Sequence, residues 1–195
     1  VSVMAQYGPT ACKICRACSL AGARLYPHYH GYDASLSLQE WKQRFAYRRL
    51  AKKAHGIICP SGYLAENLVG IGMPRSLMHV VPYGVDVDQF APGGRRDPNL
   101  VLAVGRFAHI KAPHKTIRAF AKVSENHPTT RLEMIGDGAL MQECRELVEQ
   151  LGLGDCVVFH GAQDHGFVLE KMRKASLFVQ HSVKARSGST EGLGV

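Results

Sequence analysis

Residues 100–123 read LVLAVGRFAHIKAPHKTIRAFAKV, and this stretch decides the fold class. The apolar run at 100–104 has the length of a buried strand, and Ile117, Phe120 and Val123 then recur at helical spacing. A strand that passes through a short turn into a helix is the building unit of a parallel sheet covered by helices. In the turn, Arg106 and Lys111 stand five residues apart, close enough to converge on one anion. Two fixed cations suit a diphosphate leaving group, on which negative charge grows as a bond to it breaks. A solvated basic loop is the commoner fate of an isolated Arg/Lys pair, so the case depends on what surrounds it.

The same alternation runs outward in both directions. Upstream, strand-like runs occur at 1–5, 24–29, 56–59 and 78–82, with helical stretches near 10–20, 37–54 and 62–71. Downstream, a strand at 131–135 precedes the clearest helix, in which Leu140, Met141, Cys144, Leu147, Val148 and Leu151 share one face. Strands at 156–159 and 176–180 flank a short helix around 168–172. Between the two series, residues 86–99 (DVDQFAPGGRRDPN) interrupt the rhythm with Pro, paired Gly and charges. The expected organisation is therefore α/β, with two Rossmann-like domains: 1–90, a linker at 91–99, and 100–195.

Composition bounds the function without choosing it. The 195 residues are 46% hydrophobic and 21% charged, enough for a real core. No apolar run reaches the roughly 20 residues of a membrane-spanning helix, and the start VSVMAQYG is not a signal peptide. A cytoplasmic protein is the expectation. The absence of an initiator Met and the apolar ending lead us to expect a chain cut from something longer at both ends. A formal charge of +8 favours anionic partners. Nucleic acid is not expected, because no aromatic-rich basic strand or nucleic-acid motif accompanies that charge.

Three patterns in the chain bear on cofactors. Cys12, Cys15 and Cys18 have iron–sulfur spacing, but no fourth ligand stands nearby, and small buried thiols are the preferred reading. Gly136-Asp137-Gly138 lacks the third glycine of a dinucleotide fingerprint, so a nicotinamide enzyme is discounted. His28, His30, His160 and His181 lie in separate segments without short ligand spacing, so zinc is not expected. No metal and no organic cofactor is assigned. At 41–53 (WKQRFAYRRLAKK), Trp41 and Phe45 lie one turn apart among six cations that run to Lys53. A solvated face is the preferred reading there, and peripheral contact with an anionic membrane the alternative.

Near the end, Glu191 heads a Gly-Leu-Gly stretch where a strand should turn into a helix. A carboxylate there can accept hydrogen bonds from sugar hydroxyls, beside amides freed by the glycines. Together with HYHGYDAS (28–35), IICPSGYLAENLVGIGMP (57–74), HVVPYGVDVDQFAP (79–92), GRFAHIKAPHKTIRAF (105–120), IGDGAL (135–140), VVFHGAQ (157–163) and SGSTEGLGV (187–195), the chain resembles the retaining GT-B glycosyltransferases of the family-four type.

The resemblance implies transfer of a sugar from a nucleotide-diphosphate donor to a glycan or lipid hydroxyl, with retention of configuration and without a bound metal. It implies that Arg106 and Lys111 hold the donor diphosphate and that Glu191 is the first acid of the family's Glu-x7-Glu motif. Gly192 and Leu193 would offer amides to the donor, Gly161 and Ala162 would receive the nucleobase, and His30 would face the donor sugar. By the same resemblance 1–90 is the later part of the acceptor-side domain and 100–195 the earlier part of the donor domain, both incomplete. The motif's second acid would fall beyond Val195, and the glycine-rich loop of the family's N-terminus has no counterpart, so the chain by itself is expected to be inactive. Tyr83 stands where the family usually has Asn before Gly-Val-Asp. A non-catalytic sugar-nucleotide binder is the alternative reading.

Overall fold

The computed structural model describes residues 1–91, 93–185, 188, 190 and 191. Strand β1 (Ser2–Gln6), helix α1 (Gly8–Leu20), β2 (Arg24–His28), α2 (Trp41–Ala51), β3 (Ile57–Cys59), α3 (Gly62–Gly70) and β4 (Met78–Val80) form a first unit. Its strands are parallel and lie in the order β1-β2-β3-β4, so each new strand adds to the same edge. One apolar cluster gathers Ala5, Ala11, Leu25 and Leu50, and another joins Tyr29, Tyr47, Ile57, Leu64 and Leu68. Tyr29 and Tyr47 are fully buried and meet edge to face at 5.2 Å. A side chain at Gly8 would fall 2.5 Å from the Tyr29 ring, so α1 starts there only with glycine. The helix expected over 37–54 is shorter than its composition suggests. Ser37 Oγ donates to the Asp33 carbonyl at 2.7 Å, and the chain turns through two 3₁₀ segments, Tyr32–Ala34 and Leu36–Gln39, before α2 begins. Such local side-chain bonds compete with the helical ladder.

The second unit contains β5 (Asp97–Val104), α4 (Pro113–Ser124), β6 (Arg131–Ile135), α5 (Met141–Gln150), β7 (Val157–Phe159), α6 (His165–Lys174) and β8 (Ala175–Phe178). Its strands are also parallel, but their order is β7-β6-β5-β8. The chain steps outward from β5 to β6 and β7, and α6 then carries it back to the other side of β5. Period-two alternation in β5 serves both faces. Val101 and Ala103 join the cluster of Ile117, Phe120, Leu132 and Leu147, while Leu100 and Leu102 pack with Ala175 and the α6 residues Phe167 and Met172. A parallel sheet covered on both sides reads as a nearly continuous apolar run, which 100–104 does. Each fully buried residue such as Ile117 contributes about 2 kcal/mol of burial.

The division between the units falls at Gly84 and Val85, and the described residues from Lys184 on group with the first unit. This differs at its edges from the expected 1–90 and 100–195. Asp86 accepts from the Asp88 and Gln89 amides, and Phe90 meets the His165 ring edge-on at 5.0 Å. Arg173 donates to the carbonyls of Gln89 and Ala91, so the expected linker is strapped to α6. β5 begins at Asp97 rather than Leu100, where Asp97 pairs with Arg131 at 2.6 Å. At the other end the Thr190 amide donates to Ser35 Oγ at 3.3 Å. Among the described residues no helix is long and apolar enough to cross a membrane.

Candidate functional site

In the second unit the strand order reverses at β5, which has β6 on one side and β8 on the other. Loops leaving the carboxyl ends of two such strands diverge and open a crevice, the usual ligand position in open α/β sheets. A cleft lies there, lined among others by Val104, Gly105, Arg106, Lys111, Thr116 and His181. Arg106 and Lys111 are thus brought to one cleft. The turn that carries them is built on buried Phe107, whose amide donates to the Asp137 carbonyl and whose carbonyl accepts from Leu140, both at 2.9 Å. The Ala108 carbonyl accepts from the amides of Lys111 and Ala112, and Ala112 takes a left-handed conformation at φ 43°. Helix α4 then starts at Pro113 with no side-chain cap and no acid in its first turn. The positive end of its dipole faces this side of the sheet, and Pro113 and Thr116 line the same cleft. Burial and the charges of Lys115 and Arg118 hold the imidazole of His114, in that first turn, below its ordinary range.

Three successive loops abut at this end of the sheet. The Gly105 amide donates to the Ile135 carbonyl at 2.9 Å, and the Gly136 amide to the Gly161 carbonyl at 2.8 Å. A Cβ on Gly136 would lie 2.0 Å from the Gly105 carbonyl oxygen, and one on Gly138 would lie 2.6 Å from that of Phe107. The glycine pair that fails as a dinucleotide fingerprint therefore packs the second loop against the cation-bearing turn. Gly161 and Ala162 lie on the third loop, where Gly161 has φ 69° and open space around it.

Beneath that third loop lies a buried acid that sequence reasoning did not single out. Glu133, 6% exposed, accepts from His160 Nε2 at 2.7 Å and from Lys171, and meets Arg131 Nε at 3.4 Å. Burial pushes its carboxyl up, but the hydrogen bonds from Lys171 and His160 outweigh this and leave it below the usual carboxylate range. The available signal was a glutamate inside the apolar strand RLEMI, on the face opposite Leu132 and Met134. His181, for which the sequence suggests only a zinc role, stands in the cleft wall. Its Nδ1 lies 3.5 Å from Thr116 Oγ1.

The first unit places His30 just past β2. Its Nδ1 is 2.6 Å from the Tyr83 hydroxyl, and its Nε2 is 2.6 Å from Gln6 Oε1. The fully buried Asp33 shapes this end by accepting from the amides of Gly8, His30 and Gly31. Tyr7, at the end of β1, has φ 69° and ψ 135°, a backbone strain of about 1–3 kcal/mol, with its ring 4.6 Å from that of His30. Glu191 is half-buried and groups with this unit, whereas Arg106 and Lys111 belong to the other. Gly192 and Leu193 lie outside the described residues. Cys12, Cys15 and Cys18 all lie on α1, and burial, with Cys15 adding to it, raises the Cys12 thiol to about 11. Among the described residues no three His, Cys, Asp or Glu side chains gather as metal ligands would.

Residues 86–195 match the family model described as Glycosyl transferases group 1, and residues 3–89 match that described as Glycosyltransferase Family 4. The chain is 27% identical over 200 residues to WcaL of Escherichia coli (strain K12), a glycosyltransferase provisionally assigned to colanic acid biosynthesis, covering 98% of this chain and 48% of that protein. It is 27% identical over 151 residues to the GDP-mannose-dependent alpha-(1-6)-phosphatidylinositol monomannoside mannosyltransferase of Mycolicibacterium smegmatis, covering 71% of this chain and 39% of that protein. Among solved structures, Anabaena Alr3699/HepE in complex with UDP and glucose superposes with a TM-score of 0.75 at 19% identity, over 93% of this chain and 52% of that one. At that identity the likeness is one of fold, and the fold is GT-B: two parallel sheets, each with its helices. The chain spans about half the length of the first curated relatives it matches.

Proposed function

Because the chain belongs to the group 1 glycosyl transferases, we propose that its second unit holds the diphosphate of a nucleotide-sugar donor, whose sugar passes to a glycan or lipid hydroxyl with retention at the anomeric carbon. One observation carries this reading: two cations and an uncapped helix start line one cleft where the strand order reverses. Arg106 and Lys111 neutralise charge that grows on the departing diphosphate, so they act mainly in the transition state. They supply the positive charge that a divalent metal would otherwise bring, and no metal is invoked. Gly161 and Ala162 receive the nucleobase on the neighbouring loop. For Glu191 and His30 the reading rests on their sequence motifs, which make each a hydrogen-bonding partner of the transferred sugar. The reaction belongs in the cytoplasm. Trp41 and Phe45 on α2 are exposed beside Lys42 and Arg49, and supply a peripheral contact if the acceptor is a lipid.

Calorimetric titration of the chain with UDP, GDP and ADP tests the cleft. Arg106→Ala and Lys111→Ala should each weaken the preferred diphosphate at least about tenfold, as loss of a charge-assisted contact does, and in the sugar-transfer reaction each should lower kcat at least about tenfold. Unchanged affinity and turnover in both variants would defeat the assignment. The anomer of the first-formed product, read by proton NMR, decides retention.

A further inference from the structure

We propose that Tyr83 is a positioning residue for His30: its hydroxyl donates to Nδ1, leaving the Nε2–H as a donor for a ligand oxygen whose place Gln6 Oε1 occupies in the structure. The inference deepens the reading of His30 given above and rests on it for its consequence in sugar transfer. The hydrogen-bond inventory carries it. Gln6 Nε2 lies 3.6 Å from Met4 Sδ, which turns the amide oxygen toward His30 at 2.6 Å. A carboxamide oxygen only accepts, so Nε2 of His30 carries a proton. In the neutral imidazole Nδ1 is then the acceptor for the Tyr83 hydroxyl at 2.6 Å, and a phenol is a better donor than acceptor. Burial, with the charge of Asp33 adding to it, holds the Tyr83 phenol above its ordinary range, so it keeps the proton it donates.

The surroundings fix the ring further. The Tyr83 and His30 rings stack at an interplanar angle of 11°, and His28 lies against His30 at 4.3 Å. The His30 amide is bound by buried Asp33. Gln6, in contrast, is exposed at the end of β1, and its side chain can swing away. One partner of the imidazole is thus held by packing and the other is exchangeable. An asparagine at position 83 would be too short to span the same gap, so this arrangement is particular to the tyrosine.

Nitrogen-15 NMR of histidine-labelled chain reads the tautomer directly. The wild type should show His30 as the Nε2–H form, Gln6→Ala should keep that signature, and Tyr83→Phe should convert it to a mixture of both forms. A signature unmoved by Tyr83→Phe, or lost in Gln6→Ala alone, overturns the positioning role. In the sugar-transfer reaction Tyr83→Phe should lower kcat about fivefold or more with the donor KM within about twofold, the pattern of a group that matters in the transition state. If the tautomer shifts but neither Tyr83→Phe nor His30→Ala changes transfer, the positioning stands and the reading of His30 as a sugar partner falls.

Discussion

The two units use the same ingredients, four parallel strands and their crossover helices, and differ in one topological step. In the first, strands are added along one edge from β1 to β4, and nothing in their order opens a crevice. In the second, the return of the chain to β8 beside β5 parts two loops and leaves the cleft that Arg106 and Lys111 line. Glycine makes the contrast concrete. Gly8 of the first unit gives way to the side chain of buried Tyr29, and so serves the core, whereas Gly136 of the second gives way to the backbone of Gly105, and so serves the site. The cleft is thus a product of strand order and backbone contact, while the furnished end of the first unit depends on side chains such as Asp33, His30 and Tyr83.

The sharpest way to break this comparison is Gly136→Ala. Its φ of 133° and a Cβ only 2.0 Å from the Gly105 carbonyl oxygen leave no cheap adjustment, so a loss of about 3 kcal/mol or more is expected, together with nucleotide affinity. Denaturant melts and calorimetry on the variant check it, and near-wild-type behaviour in both would mean that the three loops do not depend on one another.

Glu133→Gln comes next. Removing the charge from a buried acid that Lys171 and His160 share should cost about 2 kcal/mol at neutral pH. The carboxyl titrates lower in the folded than in the unfolded chain, so its stabilisation is full above the ordinary glutamate range and is lost as pH falls from there through the lowered folded value. Melting temperature against pH should therefore fall less steeply on the acid side in Glu133→Gln than in wild type, and parallel curves would show that Glu133 is not the group responsible. The mildest change is Gly161→Ala. With open space around it the only cost is the left-handed φ of 69°, about 1 kcal/mol, so a melt that drops as far as that of Gly136→Ala would erase the distinction between crowded and open glycines.

Much of this was legible in the sequence because it depends on local pattern. The continuous apolar run at 100–104 marks a strand buried on both faces, and the spacing from Leu140 to Leu151 marks a helix with one apolar face. The spacing of Arg106 and Lys111 places both in the turn between a strand and a helix, and both line the cleft there. Helix α2 was overextended because Ser37 and Asp33 bond within their own turn, a competition that composition does not reveal. Glu133 was passed over because a strand's outward face and its buried second face look alike until the helix that covers it is placed.

The amino-acid order by itself determined the alternation of strands and helices, the parallel sheets and the positions of the two cations, since all of these follow from hydrophobic period and short-range spacing. Only the tertiary structure decided that β8 returns beside β5, that Gly136 abuts Gly105, and that Tyr83 meets His30 across 53 intervening steps of chain. These are long-range contacts, and no local pattern records which distant backbone or side chain will fill the other half of a hydrogen bond.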